Sequence, residues 1–402
     1  MNTKNIKLQP ELEKAILDLG FSEFTEIQEK AIPIIQEGKD LIGQSHTGSG
    51  KTAAFGFPVL EKVVSRKGIQ VLILVPTREL SDQVTKEFYK FSKYKPVNIV
   101  EVYGGVPIGP QMVKLNRADI AVCTPGRLLD HLRRGTINVS KVSMLVLDEA
   151  DKMFEMGFIE DVKDIISYLP KNRQTLLFSA TMSKEVTDIS NNYMKNPIKV
   201  KMPSYVDKSK LIQNFYRIDQ RDKFSLLVHL LDHTKGLIII FCATRRIVDE
   251  LSKNLYKQKF KVQALHGGLS QNKRKQVMED FHANRLDILV ASDIAARGLD
   301  IKNVQLVINY DIPKTSRDYV HRIGRTARAG SEGKIVSLLT SRDEDNFRNV
   351  LEDRSLLVHQ LKVPQFEKVF YVRNENRRND NRRTDSRREN RRPSSPRFSK
   401  RY

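Results

Sequence analysis

The sequence has little of what marks membrane-spanning or secreted proteins. Its densest apolar run covers only residues 237–243. A membrane-spanning helix needs about 20 consecutive apolar residues, so this run instead predicts a buried strand. The first residues contain no apolar segment of the kind found in signal peptides. We therefore expect a cytoplasmic protein that has no membrane partner.

Cysteine is also scarce. Cys123 and Cys242 lie at the ends of apolar runs in different halves of the chain. Isolated cysteines in such runs are most often reduced, buried thiols, so we favour that role over a disulfide, a metal site or a nucleophile. No cluster of His and Cys has the spacing of zinc ligands. The cysteine content therefore argues against a disulfide scaffold and against a zinc finger.

Acidic residues are in deficit relative to basic ones. The 69 Lys and Arg residues outnumber the 48 Asp and Glu residues, giving a net charge of +21 and a pI near 9.8. This excess predicts a polyanionic partner, with nucleic acid ahead of an anionic membrane surface. Many basic proteins bind no polyanion, so the partner has to be identified from particular residues.

Short β-branched runs alternate with helical stretches in both halves of the chain. Continuous apolar strands between helices predict parallel sheets that are covered on both faces. We therefore expect an α/β domain over residues 1–201, a polar linker over 202–210 and a second α/β domain over 211–364. The predicted strands are 40–43, 71–76, 98–103, 119–123, 144–148, 175–179, 237–242, 262–266, 287–291, 305–309 and 334–339.

The last residues, 365–402, differ in composition from the rest. Residues 371–402 hold eleven Arg and one Lys against four acidic residues, and pairs of arginines recur at 377, 382, 387 and 391. A segment with so few apolar residues cannot bury a core, so we predict a disordered tail. The arginine pairs favour an RNA-binding tail over one kept for solubility.

A glycine-rich loop, Ser-His-Thr-Gly-Ser-Gly-Lys-Thr, lies at residues 45–52 between a short apolar run and a helical run. A phosphate-binding P-loop requires this order of strand, loop and helix. Its glycines let the backbone wrap a phosphate, and amide groups at the helix N-terminus supply positive potential. We predict that Lys51 reaches the outer phosphates and that Thr52 ligates Mg²⁺. The remaining cradle residues are Ser45, His46, Thr47, Gly48, Ser49 and Gly50.

A second acidic motif follows the apolar run 144–147. The run ends in Asp148-Glu149-Ala150-Asp151, at a point where a buried strand presents its next residues at the edge of a sheet. We predict that Asp148 faces the Mg²⁺ ion and that Glu149 activates the attacking water. An Asp-Glu pair alone could be a solvated strand end, but that interpretation is weak behind a P-loop.

These motifs belong to a longer series that resembles the DEAD-box RNA helicases of helicase superfamily 2. The acidic tetrad gives that family its name, and the resemblance covers nearly all of residues 12–339. One motif could arise by chance, whereas the whole series in family order leaves little room for another family. The motifs are Phe21 with Thr25–Gln28, the P-loop, Pro76–Leu80, Gly104–Gly105, Thr124–Arg127, the acidic tetrad, Ser179–Thr181, Phe241–Arg245, His266–Arg274, Ser292–Asp300 and His321–Arg328.

The resemblance implies an α/β fold of two tandem RecA-like domains with parallel sheets, using ATP and Mg²⁺. It implies that Ser179 and Thr181 couple the nucleotide site to domain closure. The adenine edge would be read by Thr25 and Gln28, with Phe21 nearby. Three further ATP-site residues would come from the second half: Asp300 at the ribose, and Arg325 and Arg328 as arginine fingers.

The second half lacks a P-loop of its own. Its first predicted strand, 237–242, runs into Ala-Thr-Arg-Arg without a Gly-Lys-Thr. We expect it to offer arginines to the phosphates rather than to cradle them. The family motifs also imply RNA contacts through small, hydroxyl and basic residues, which suit the sugar–phosphate backbone and carry no sequence code. These are Thr77, Arg78, Gly105, Thr124, Arg127, Thr244, Gln271, Arg274 and Ser292.

The predicted function is that of an RNA-dependent ATPase and ATP-dependent RNA helicase that separates short duplexes by domain closure and strand bending. Two alternatives stay open: an ATP-gated RNA clamp or remodelling scaffold, and a DNA-directed translocase of the same superfamily. We expect RNA as the partner, bound without sequence preference, and ribosomal or mRNA-decay ribonucleoproteins are compatible with this. The sequence does not name the RNA target.

Overall fold

The computed structural model describes residues 6–45, 48–202, 211–296, 304–326, 333–354 and 356–372. Its strands form two separate parallel sheets of seven strands each. No helix within these ranges is long and apolar enough to cross a membrane. The fold is therefore an α/β arrangement in two tandem units, as the sequence predicts.

The first domain alternates strands and helices. Its strands are β1 Leu41–Gln44, β2 Val71–Leu74, β3 Ile99–Val102, β4 Ile120–Cys123, β5 Met144–Leu147, β6 Gln174–Ser179 and β7 Ile198–Lys201. Its helices are α1 Pro10–Asp18, α2 Glu26–Gln36, α3 Lys51–Lys62, α4 Arg78–Phe91, α5 Ile108–Leu115, α6 Pro125–Arg133, α7 Ala150–Glu155, α8 Ile159–Tyr168 and α9 Lys184–Tyr193.

The second domain repeats this alternation. Its strands are β8 Leu211–Arg217, β9 Leu237–Cys242, β10 Val262–Leu265, β11 Ile288–Ser292, β12 Val304–Asn309, β13 Gly333–Leu339 and β14 His359–Gln360. Its helices are α10 Lys223–Asp232, α11 Arg245–Lys257, α12 Gln271–His282, α13 Asp293–Ala296, α14 Ser316–Ile323 and α15 Glu344–Leu351, with a 3₁₀ turn at Ser341–Asp343.

The two sheets have the same topology. The first runs β3-β4-β2-β5-β6-β1-β7 and the second runs β10-β11-β9-β12-β13-β8-β14, so each strand has a counterpart at the same place in the other sheet. Each sheet is covered on both faces, since alternate residues of one strand enter different cores. Ile73 packs in one core of the first domain, whereas Leu72 and Leu74 pack in the other.

Every strand predicted from the sequence is present, and three strands were missed. β7 is an edge strand with outward lysines, and β14 has two exposed residues. In β8 the polar residues Gln213 and Asn214 interrupt the apolar ones. The missed β8 requires a correction. It, and not β9, is the first strand of the second domain and the counterpart of β1.

Both cysteines are buried and free, at the carboxyl ends of β4 and β9. Burial raises the pKa of the Cys123 thiol, and burial together with the charge of Asp311 raises the pKa of Cys242. Both thiols are therefore protonated and unreactive at neutral pH.

The boundary that we predicted at residue 365 is wrong, because the chain stays packed on the second domain as far as residue 372. Phe366, Val369 and Tyr371 lie against the core that holds α10. The Val372 amide donates to the Asn254 side chain (2.9 Å), and Val369 donates to Ser225 (3.0 Å). The apolar residues before the arginine pairs explain this docking. The arginine pairs from 377 onward, and residues 203–210 of the predicted linker, lie outside the described residues.

Candidate active site and interdomain cleft

The predicted site residues that follow strands lie, where the structure describes them, at one edge of each sheet. In the first sheet β5, β6 and β1 are neighbours, so the P-loop after β1, the acidic motif after β5 and the Ser179–Thr181 motif after β6 meet there. The predicted RNA residues follow β3, β4 and β2 on the other half of the same edge. Parallel α/β sheets bind ligands at this carboxyl edge. The residues predicted to bind the nucleotide and those predicted to bind RNA therefore lie on adjoining halves of the carboxyl edge of the first sheet.

The P-loop connects β1 to the first turn of α3. Gly48 and Gly50 have positive φ values of 88° and 92°, which non-glycine residues rarely adopt. The buried Lys51 donates from Nζ to the carbonyl oxygen of Ser45 (3.2 Å), and the Ser49 hydroxyl donates to Ser45 Oγ (3.0 Å). Thr52, the second residue of α3, is half-buried. His46 and Thr47 lie outside the described residues.

The side chains of Thr25 and Gln28 form hydrogen bonds to the backbone of the P-loop. Gln28 Nε2 donates to the Gly50 carbonyl (3.1 Å), and the Thr25 hydroxyl donates to the Ser49 carbonyl (2.9 Å). The Thr25 amide in turn donates to Gln28 Oε1 (2.9 Å). A Cβ atom at Gly50 would clash with Gln28 Nε2. Thr25 and Gln28, which we call the brace, therefore fix the backbone of the phosphate loop. Their contact with adenine stays a prediction.

Replacing Gly50 with Ala should reduce ATP affinity by at least about tenfold, because a left-handed non-glycine residue costs roughly 1–2 kcal/mol and the new methyl group also displaces Gln28. Binding of a fluorescent ATP analogue measures the loss. Gly38→Ala is the matched control, since Gly38 also has a positive φ but meets no atom within 4 Å. Equal ATP affinity in the two variants would contradict the brace.

Phe21, the third residue predicted at the adenine, packs edge-on against Phe57 with ring centroids 6.0 Å apart. Phe21 is only partly buried, at the margin of the core that contains Phe57. Part of its ring therefore remains accessible. Two predicted ATP-site residues of the second domain, Asp300 and Arg328, lie outside the described residues.

The acidic motif begins directly after β5, at Asp148 and Glu149. Asp148 and Glu149 are both buried, and Glu149 has a positive φ of 51° that is uncommon for its residue type. The Glu149 amide donates to Asp148 Oδ1 (2.9 Å). Lys152 Nζ donates to Glu149 Oε2 (2.7 Å), and both side chains of this ion pair are almost fully enclosed. Strained backbone of this kind is concentrated at functional sites.

The pKa values of Asp148 and Glu149 are shifted in opposite directions. Burial, with a smaller contribution from Glu149, raises the pKa of Asp148 to about 6 against the opposing charge of Lys51. Burial would also raise the pKa of Glu149, but Lys152 and Lys51 outweigh it and bring that pKa to about 2. Glu149 is therefore ionised at neutral pH. Asp148 is a buried carboxylate whose ionised form a bound cation would stabilise further.

Asp151, the last acid of the tetrad, contacts the Ser179–Thr181 motif. Its Oδ2 accepts hydrogen bonds from the Thr181 amide (2.9 Å) and the Thr181 hydroxyl (3.0 Å). The buried Ser179 hydroxyl donates to the Thr181 carbonyl (2.7 Å). The Ser45 amide donates to the Ser179 carbonyl (3.0 Å), which connects this motif to the P-loop. The predicted coupling residues thus contact both predicted phosphate motifs.

Arg325 of the second domain acts electrostatically on this part of the first domain. Arg325 is buried, and its charge helps to lower the pKa values of Glu149 and Lys152. Arg322, in the same motif, instead forms an ion pair with Asp293 and donates to the Asn309 side chain (2.9 Å). Of the arginines described in this motif, Arg325 is the one whose charge acts on Glu149 of the first domain.

The first-domain residues predicted to bind RNA lie along the carboxyl ends of β2, β3 and β4. Thr77 caps α4, and its hydroxyl accepts from the Leu80 amide (3.3 Å). The Arg78 guanidinium lies against Gly105, where it occupies the space that a Cβ atom would need. Thr124 precedes α6, and Arg127 donates to the Val106 carbonyl (2.9 Å). Their grouping fits the prediction, and their RNA contacts stay a prediction.

The corresponding residues of the second domain follow the counterpart strands. Thr244 caps α11 after β9, Ser292 ends β11, and α12 carries Gln271 and Arg274 after β10. Gln271 Nε2 donates to Glu79 Oε1 (3.3 Å), and Arg274 Nη2 lies 3.1 Å from the same oxygen. Glu79 belongs to the first domain. This cluster therefore joins the predicted RNA-binding residues of the second domain to those of the first.

Sequence reasoning missed four residues of the cleft: Glu79, Lys152, Asp151 as a coupling residue, and Arg317. Lys152 had a local signal, because it lies three residues after Glu149, where helical side chains meet. Glu79 and Arg317 act on the opposite domain, and no spacing in the sequence predicts their contacts. Arg317 Nε lies 2.6 Å from Glu155 Oε1, and its Nη2 lies 3.2 Å from Asp151 Oδ2.

Comparison with known proteins identifies the family. Residues 25–189 match the DEAD/DEAH box helicase family and residues 222–330 match the helicase conserved C-terminal domain. The ATP-dependent RNA helicase CshA of Listeria monocytogenes is 44% identical over 367 residues, which cover 90% of this chain and 71% of that protein. The chain belongs to the DEAD-box helicase family. As a member of it, the chain is an ATP-using helicase with two RecA-like domains.

Two solved structures of DEAD-box proteins are similar to this helicase. Saccharomyces cerevisiae Dbp5 bound to RNA and ADP BeF3 has a TM-score of 0.80 at 30% identity, over 88% of this chain and 94% of that one. A DEAD box protein from Methanococcus jannaschii has a TM-score of 0.54 at 38% identity, over 89% of this chain and 98% of that one. The less identical protein is the closer in overall structure.

Proposed function

We propose that this DEAD-box helicase is an RNA-dependent ATPase that uses ATP to separate short RNA duplexes. One observation carries the proposal: the charge of the buried Arg325, in the second domain, acts on the buried Glu149–Lys152 pair of the first domain and helps to lower the pKa values of both. The cleft thereby assembles phosphate and water-activating residues from one domain with an arginine from the other. Domain closure is then required for hydrolysis, which makes ATP turnover conditional on whatever closes the cleft.

The first-domain residues divide the work at the nucleotide. Lys51 and the P-loop amides bind the phosphates, and Glu149 activates the attacking water as a general base. The donor set fits Mg²⁺, because Thr52 offers a hydroxyl oxygen and Asp148 a buried carboxylate, and this ion prefers oxygen ligands. When bound, Mg²⁺ would neutralise charge on the phosphate oxygens. Arg325, with Arg328 as a second predicted finger, would stabilise the charge that develops on the transferred group.

The RNA half of the edge explains why RNA closes the cleft. Thr77, Arg78 and Arg127 on one domain, and Thr244 and Arg274 on the other, would contact a single strand together. Hydroxyl and guanidinium groups suit phosphates and 2′-hydroxyls. Binding both domains to one strand favours the closed form, and bending that strand releases its partner. The relatives support RNA as the partner. The similar CshA protein is named an ATP-dependent RNA helicase, and the similar Dbp5 structure has RNA bound.

ATP hydrolysis should be stimulated strongly by RNA and weakly by DNA of the same sequence. The experiment measures kcat for the full chain without nucleic acid, with RNA and with DNA, and then strand separation of a short RNA duplex. The Lys51→Ala variant serves as the inactive control. Equal stimulation by DNA would instead identify a DNA-directed translocase.

A second outcome concerns the clamp alternative. A protein that hydrolyses ATP with RNA and holds RNA tightly with a non-hydrolysable analogue, yet separates no duplex, would be an RNA clamp or scaffold. Ribosomal and mRNA-decay ribonucleoproteins stay predictions as physiological partners, as does a cytoplasmic location.

A further inference from the structure

Arg317 crosses the cleft from an unusual position. It is in the first turn of α14, where a cation is unfavourable because the positive end of the helix dipole lies there. Its guanidinium extends to α7 of the other domain. Nε lies 2.6 Å from Glu155 Oε1 and Nη2 lies 3.2 Å from Asp151 Oδ2. The acids of the first domain therefore offset the cost of this placement.

The same guanidinium contacts the coupling motif. Arg317 Nη2 donates to the Thr181 hydroxyl (2.5 Å), and that hydroxyl donates to Asp151 Oδ2 (3.0 Å). Arg317 thus joins a carboxylate that is 1% exposed and the hydroxyl bound to it. An ordinary surface ion pair would add little, but here one partner is enclosed and the guanidinium bridges two acids and a hydroxyl.

We propose that Arg317 is a positioning residue that transmits the state of the nucleotide site to the second domain. The inference rests on the proposed function and deepens it by naming the contact that couples ATP to closure. Asp151 and Thr181 adjoin the P-loop through Ser179 and Ser45. Arg317 shares α14 and the turn after it with Arg325, so fixing Arg317 on the first domain also fixes where Arg325 lies.

The test separates positioning from folding and from nucleotide binding. Arg317→Ala should reduce the ATP-dependent gain in RNA affinity and the RNA-stimulated kcat/KM by about tenfold, within the range of typical coupling energies. The effect should fall on KM for RNA, while the affinity for ATP alone stays unchanged because the P-loop is intact. RNA binding is measured with and without a non-hydrolysable ATP analogue. Arg317→Lys should recover part of the loss, since it restores the charge but not the fork.

Arg348→Ala is the matched control, because Arg348 is an exposed arginine of the second domain that pairs only with Asp345 among the contacts described. A charge exchange adds a rescue: Arg317→Glu should be more defective than Arg317→Ala, and Glu155→Arg in the same chain should restore part of the coupling. Failure of the rescue together with normal coupling in Arg317→Ala would overturn the inference.

Closure can also be read without catalysis. Dyes on cysteines introduced at the exposed Tyr168 and Tyr256 report the distance between domains, since the two native thiols are buried. RNA and the ATP analogue should change energy transfer in the unsubstituted chain and much less in Arg317→Ala. An unchanged response in Arg317→Ala contradicts the inference alone, whereas absence of any RNA-stimulated turnover in the unsubstituted chain contradicts the proposed function.

Discussion

Replacing Glu149 with Gln should lower RNA-stimulated kcat by a factor of about 10²–10⁴, the usual contribution of a general base. The amide keeps the shape of the carboxylate but cannot accept the proton of the attacking water. Binding of ATP and RNA should persist, because Lys51, the P-loop and the RNA half of the edge are untouched. Single-turnover hydrolysis and equilibrium binding measure the two quantities separately.

The environment of Glu149 sharpens this expectation. Lys152 and Lys51 keep the carboxylate ionised, and its backbone has the uncommon positive φ. The neutral amide would leave the enclosed Lys152 without its anionic partner, so thermal unfolding must accompany the kinetics. Glu160→Gln is the matched control, since Glu160 is an exposed acid paired with Lys163. Near-normal turnover in a folded Glu149→Gln chain would remove Glu149 from the mechanism.

The sequence was informative about local chemistry. The P-loop and the acidic tetrad each place their residues within one strand, one loop and one helix turn, so their spacing alone predicts a site. Alternating apolar runs predicted both sheets, because a strand buried on two faces must be continuous in apolar residues. β8 mixes polar and apolar residues and contains no such run, so the sequence predicted 237–242 as the first strand of the second half.

Contacts between the domains could not be predicted in the same way. Glu79 meets Gln271 and Arg274, and Arg317 meets Asp151, across sequence separations that no periodicity encodes. Gln28 shows a related limit. The family resemblance implies a role at adenine, whereas the structure shows its amide bound to the Gly50 carbonyl, a contact that depends on how α2 packs against α3.

The two sheets have the same topology, yet the loop after β8 lacks the glycines that form the phosphate cradle after β1. Lys51 begins α3 after β1, and Lys223 begins α10 after the counterpart strand β8. Residues 218–222 between β8 and α10 contain no glycine, so the backbone cannot wrap a phosphate there. Lys223 Nζ instead lies 3.4 Å from Asp311 Oδ1 and 3.5 Å from Asp343 Oδ2, over the ring of Tyr310. Internal carboxylates therefore supply the negative charge around the Lys223 ammonium group.

Lys223→Met should therefore destabilise the second domain by about 3 kcal/mol or more, because it leaves two largely buried carboxylates without their shared cation. Side chains of Asp311 and Asp343 are only 16% and 12% exposed, so water cannot replace the ammonium group. Urea unfolding followed by circular dichroism measures the loss, and ATP affinity of the folded chain should not change.

Lys368→Met is the matched control for Lys223→Met. Lys368 pairs with Asp222 (3.1 Å) but is 80% exposed, and exposed pairs contribute only about 0–1 kcal/mol. Adding Asp311→Asn and Asp343→Asn to Lys223→Met should restore part of the stability, since the buried negative charges are then gone. Equal stability of the Lys223→Met and Lys368→Met chains would show that Lys223 is not needed to neutralise this site. A loss of ATP affinity in Lys223→Met would instead mean that the second domain takes part in binding phosphate, contrary to its missing glycine loop.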